Sequence, residues 1–168
     1  MLTRGLLTPG RYLRKYRVLV LLLVTLLLLY IFRKKVIIST TSNDIYNLLL
    51  SSGLSDELCR YMTAQGAHET AGFTSNIFKN NNNAFGMKYA GQVNSLGEKN
   101  GYANYKSINH SVADLVAWYT RHRINIFSLP LYIGSLASYV KFLKNNNYFE
   151  ADEAAYLKGC QHFYNEIF

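Results

Sequence analysis

From Val18 to Phe32 the chain reads VLVLLLVTLLLLYIF, fifteen residues without a charge, and from Asn43 onward its character changes. Apolar residues there recur at spacings of three and four between short polar turns, the period of amphipathic helices. Asn43 or Ser42 is placed to cap a helix through Leu50 that Gly53 stops. Ser55 then opens a second helix with Asp56 and Glu57 in its first turn, where the helix dipole favours acids. Leu58, Met62, Gln65 and Glu69 follow at spacings of four, three and four, so Glu69 shares the apolar face.

From Asn80 to Lys106 the helical period disappears. Gly86, Gly91, Gly97 and Gly101 punctuate short alternating pieces such as YANYKS, predicting a small hairpin or irregular β lobe. Ser107 or Asn109 starts a further helix carrying Val112, Leu115, Val116 and Tyr119, which ends before Pro130. Another runs through SLASYVKFLK to the stop at Asn145 to Asn147, and a last one through DEAAYLKGCQHFYNEIF. The predicted class is α+β, mainly α: a helical domain with a small β lobe, preceded by one transmembrane helix. The expected segments are 1–17, a basic N-terminal stretch; 18–32, the membrane span; 33–42, a linker; and 43–168, the domain.

The apolar run has basic residues on both flanks. As a helix its fifteen residues span about 22 Å at ~1.5 Å per residue, short of a hydrocarbon core of about 30 Å. Arg17, Arg33 and Lys34 can extend their stems to the interface and make up the difference. A cleaved signal peptide would end in a small-residue site, whereas this run ends in Tyr30-Ile31-Phe32 followed by Arg-Lys-Lys. The pattern is read as an uncleaved signal anchor. Five basic residues precede the run and three follow it, which favours the N-terminus inside and the C-terminal domain outside the cytoplasm.

The formal charge of +8 then loses its first meaning. Eight of the 18 Lys and Arg lie in residues 1–35, where there is no acid, and the other ten equal the ten Asp and Glu of the rest. A neutral domain has no uncompensated basic cluster for a phosphate backbone, so no nucleic acid is expected as a partner. Cys59 and Cys160 show no metal spacing; they could pair in an exported domain or remain buried thiols. His110, His122 and His162 lack ligand spacing, and neither a metal nor a cofactor is expected.

Chemistry concentrates in AQGAHETAGFTSNIFKNNNNAFGMK, residues 64–88. Glu69 falls near the end of its helix, where the dipole opposes negative charge, and on a face where desolvation raises a carboxyl pKa. Both effects favour the protonated form that a general acid for glycosidic cleavage needs. Amides at Asn80 to Asn83 and aromatics at Phe85, Tyr89, Tyr102 and Tyr105 offer what a sugar's hydroxyl rim and C–H faces would use. A glutamate capping an asparagine-rich loop would look the same. His68 lies about 100° around the helix from Glu69 and is expected to face away.

Several stretches, in order, carry a resemblance. Ala64, Gln65, Glu69 and Thr70 match A-Q-x-x-x-E-S with Thr for Ser, and Asn82, Asn83, Phe85, Gly86 and Lys88 match N-N-x-F-G-x-K. Tyr102, Tyr105, Ser107, Ser111 and Asp114 follow, then Tyr139, Val140, Leu143, Lys144, Tyr148, Asp152 and Tyr156. Residues 43–168 thereby resemble the glucosaminidase family of bacterial and phage cell-wall hydrolases, family 73 of the glycoside hydrolases. The resemblance implies a lysozyme-like fold acting on peptidoglycan glycan strands, hydrolysing the β-1,4 bond between N-acetylglucosamine and N-acetylmuramic acid. It puts Glu69 at the general-acid position and Asn83, Phe85 and Tyr105 along the cleft, although Tyr105 could equally be structural; Tyr102 is a further substrate-binding candidate.

A second carboxylate is the point of departure. Between Glu69 and Asp114 the only acid is Glu98, in SLGEKNG, which makes it the lobe's candidate for activating water. The alternative is assistance by the substrate's own acetamido group. Two other readings of the domain stay open: a lytic transglycosylase, which also needs a single acid, and a non-catalytic module that binds peptidoglycan.

Overall fold

The computed structural model describes residues 9–168, apart from the side chains of 9–15 and 37–39. The chain divides after Ile37 into two units. Helix α1, Pro9–Ser51, is continuous through the segment read as a linker at 33–42 and through the cap expected at Ser42 or Asn43. Extending an existing helix adds a hydrogen bond per residue without a new nucleus, which outweighs the weak helix preference of Ser and Thr. In the first unit every residue from Tyr16 to Val36 is exposed. Part of α1, from Tyr16, is long and apolar enough to cross a membrane.

The second unit is built around α2, Asp56–Glu69, capped by the Ser55 hydroxyl on the Leu58 amide at 3.4 Å. Every residue from Leu58 to Ala67 except Arg60 is buried. It packs chiefly on α6, Glu153–Ile167, which in turn packs on α5, Leu136–Asn145. Helix α4, Ile108–Arg121, adds Val112, Leu115 and Tyr119 to the same core. Gly66 in α2 is required by close approach: a Cβ there would stand 2.9 Å from the Ala84 carbonyl and 3.0 Å from the Phe85 ring. Cys59 and Cys160 are both buried and free, their thiols pushed up to about 12 by burial, so they behave as small apolar core residues.

Two elements add to those expected. Residues 76–81 form a short helix, α3 (Asn76–Asn81), capped by Ser75 on Phe78 N at 3.2 Å. Helix α4 ends at Arg121, and a 3-10 turn, Ile126–Leu131, carries Pro130 to α5. The β lobe is a hairpin of β1, Gly97–Lys99, and β2, Tyr102–Asn104, registered Glu98 to Ala103. Its two-residue turn, Asn100-Gly101, has φ of +56° and +80°, the left-handed pair that a tight hairpin turn needs.

The asparagine run ties this lobe to the helices. Asn81 Nδ2 donates to Lys99 O at 2.9 Å, and Asn82 Nδ2 to Tyr105 O at 2.9 Å. Asn83 Nδ2 donates to Met87 O and Ala103 O, at 2.9 and 3.0 Å, while its Oδ1 accepts from Met87 N at 3.0 Å. These amides satisfy main-chain groups of a loop too irregular to satisfy its own. Buried Asp114 performs the same service for side chains, accepting from Tyr105 Oη at 2.6 Å and from Arg121 at 2.9 Å.

Candidate active site

Glu69 is the last residue of α2, and the chain turns sharply after it. Thr70 Oγ1 donates to Gly66 O at 2.6 Å and accepts from Phe73 N at 3.2 Å. Ala71, Gly72 and Phe73 then all take positive φ, at +52°, +67° and +59°. Two non-glycine residues in that region are an energetic cost, concentrated beside the carboxylate that the turn leaves at a helix end.

That carboxylate lies in a cleft of about 520 Å³. Phe85 and Gly86 line it beside Glu69, Lys88 and Tyr102 come from the β lobe, and Trp118 and Arg121 from α4. Gly86 has φ of +61°, and a Cβ there would stand 3.2 Å from Glu69 Oε2. The absent side chain therefore leaves room for the carboxylate. On the other side Tyr156 Oη donates to Glu69 Oε1 at 2.5 Å.

Glu69 is half-buried. Burial pushes its carboxyl above the ordinary value, and the Tyr156 hydrogen bond, which favours the charged form, offsets part of the rise. The Tyr156 hydroxyl is itself pushed far up by burial and by the neighbouring Glu69 charge, so it remains a donor. The Phe149 ring lies parallel to the Tyr156 ring, with centroids 3.7 Å apart, and Tyr148 Oη donates to Phe85 O at 3.2 Å. The segment before α6 thus anchors both the acid's partner and the cleft floor.

The residues proposed from sequence separate into two groups. Glu69, Phe85 and Tyr102 line the cleft together. Asn83, Tyr105 and Glu98 do not line it. Asn83 is fully buried with its amide committed to main chain, and Tyr105 is buried on Asp114. Glu98 is exposed, and its Oε1 accepts from Gly101 N at 3.2 Å, closing its own hairpin turn. His68 points at α6: its ring meets the Tyr156 ring edge-on at 4.7 Å and occupies the space a Cβ at Gly159 would need. Burial lowers its pKa, so it stays neutral there.

Sequence reasoning missed Trp118, His122 and the Asn147 to Glu150 segment. The Trp118 and His122 rings stack at 4.1 Å, and Tyr148 meets Trp118 edge-on at 5.0 Å. One available signal was that Trp118 is the chain's single tryptophan. A half-buried acid whose pKa burial raises, set beside aromatic faces, is suited to donate a proton to the leaving oxygen of a bound sugar.

No curated protein and no solved structure matches the chain. The family model named Glucosaminidase, described as mannosyl-glycoprotein endo-beta-N-acetylglucosaminidase, matches residues 55–167 and so spans Glu69 and every cleft residue named above. The chain belongs to the glucosaminidase family, a family of glycoside hydrolases that act on peptidoglycan.

Proposed function

We propose that the protein is an endo-β-N-acetylglucosaminidase that hydrolyses the β-1,4 bond between N-acetylglucosamine and N-acetylmuramic acid in peptidoglycan. Glu69 is the general acid that protonates the leaving oxygen. The observation that carries this reading is the placement of Glu69: half-buried at the end of α2, its pKa raised, its carboxylate held by Tyr156 within a cleft also lined by Phe85, Tyr102 and Trp118. The aromatic faces suit the C–H surfaces of pyranose rings, and burial shifts Glu69 toward the protonated form that a general acid needs.

The apolar helix supports a membrane-anchored enzyme with its C-terminal domain outside the cytoplasm, where peptidoglycan lies. Its basic flanks, five residues before the run and three after, favour that orientation. An intact N-terminus on protein recovered from membranes is the expected result; a shorter released protein would replace the anchor with a cleaved signal.

Mass analysis of the products tests the chemistry. Full-length protein in detergent should release fragments with a reducing N-acetylglucosamine end. Anhydro-muramic ends would identify a lytic transglycosylase instead, and wall binding without any fragment a binding module.

A further inference from the structure

The cleft contains a second carboxylate that is not in the β lobe. Glu150 lines it together with Glu69, although the two lie 81 positions apart in the chain. Its neighbouring acids have other duties: Asp152 caps α6 by accepting from Ala155 N at 2.9 Å, and Glu153 occupies that helix's first turn. Among the described residues the Glu150 carboxylate has no hydrogen bond or ion pair, and it is exposed.

Its main chain, by contrast, is fixed. Lys144 Nζ donates to Glu150 O at 3.0 Å and to Ala151 O at 2.8 Å, and it sits 5.3 Å from the Phe149 ring centroid. Phe149 stacks on Tyr156, with an interplanar angle of 1°, and Tyr156 holds Glu69. Contacts therefore run from the Glu69 carboxylate through the Tyr156 hydroxyl and ring to the Phe149 ring, the residue next to Glu150 in the chain. Fixed contacts thus hold the main chain of Glu150 at the cleft that contains Glu69, and its unpaired carboxylate is free to take the second place that a glycosidase's pair of acids requires.

We propose that Glu150 is the catalytic base of the hydrolysis, an inference that rests on the assignment of Glu69 as acid. Water held between Glu150 and the sugar gives one proton to the Glu150 carboxylate, and its oxygen bonds to the anomeric carbon from the face opposite the leaving group. The bond from that carbon to the glycosidic oxygen breaks, and Glu69 delivers its proton to that oxygen. The product forms with inverted configuration, as the α-anomer, and the proton on Glu150 passes to Glu69 through solvent to reset the site.

The first-formed anomer released by the wild-type, full-length enzyme from a soluble glycan fragment, followed by proton NMR before mutarotation, is the direct readout. The α-anomer is expected, and the β-anomer overturns the proposal while leaving Glu69 in place. In parallel, Glu150→Gln should cut kcat by about 100-fold or more. Added azide should then restore turnover and yield the α-glycosyl azide, a rescue that only a folded cleft gives. Near-normal turnover in Glu150→Gln, or a loss confined to Glu98→Gln, overturns the proposal. Undiminished turnover in Glu69→Gln removes the reading beneath it, so the two failures are distinguishable.

Discussion

Tyr156 Oη donates a hydrogen bond of 2.5 Å to Glu69 Oε1, joining the last residue of α2 to the first turn of α6. Two requirements meet in that bond. Burial favours the protonated acid, while a donor aimed at the carboxylate favours the ionised form it becomes after giving up its proton. The bond keeps the acid's pKa from rising further, and it holds the carboxyl in one orientation.

Tyr156→Phe keeps the ring that stacks on Phe149 and removes only the donor. The Glu69 pKa should then rise, because the charged form loses its hydrogen bond. A pH–rate profile should show the alkaline limb displaced to higher pH, with turnover reduced less than in Glu69→Gln. An unmoved limb would mean that Tyr156 does not act on Glu69.

Glu69→Gln should lose activity yet gain relative stability as pH rises. The Glu69 pKa is raised from 4.5 in the folded state, so its stabilising contribution is complete below 4.5 and is lost as pH rises through the raised value. Glutamine does not ionise. The Tm difference between variant and wild type should therefore widen in the variant's favour above pH 4.5 and level off beyond the folded pKa; a difference constant with pH contradicts the burial argument.

Gly86→Ala places a methyl carbon 3.2 Å from Glu69 Oε2 at a φ of +61°. Gly91 has a similar φ, +73°, but nothing within 4 Å of the position a Cβ would take. Both alanine variants should lose about 1–2 kcal/mol of stability to the left-handed conformation. Only Gly86→Ala should also lose turnover, and equal activities would show that Glu69 tolerates the intrusion.

Asp114→Ala leaves the buried Tyr105 hydroxyl and the Arg121 guanidinium without their shared acceptor. The expected loss is about 2–3 kcal/mol by urea denaturation. Tyr105→Phe, which leaves the Arg121 pair in place, should cost about 1 kcal/mol.

Much of this was legible in the sequence where the signal is local. Ser55 with Asp56 and Glu57 announced α2, the three-four spacing put Glu69 on its inner face, and Gly97 and Gly101 around alternating residues marked the β lobe. Helix α3 was hidden because NIFKNN is short and runs into the asparagines, leaving Ser75 as its one boundary signal. The cap read at Ser42 or Asn43 failed for the opposite reason: α1 needs no new start there.

The cleft was only half legible. Asn83 reads as a sugar ligand because its amide is suited to hydroxyls, but an irregular loop has main-chain groups to satisfy and takes that amide first. Trp118 and Glu150 reach the site through the packing of α4 and of the loop before α6. No spacing in the chain brings them to Glu69.

The central claim is that Glu69 donates the proton, and the most direct measurement is reducing-end release from peptidoglycan by full-length wild-type and Glu69→Gln protein at matched folded concentration. The account predicts reducing N-acetylglucosamine ends from the wild type and a rate at least about 100-fold lower from the variant. Equal release by the two proteins would contradict it.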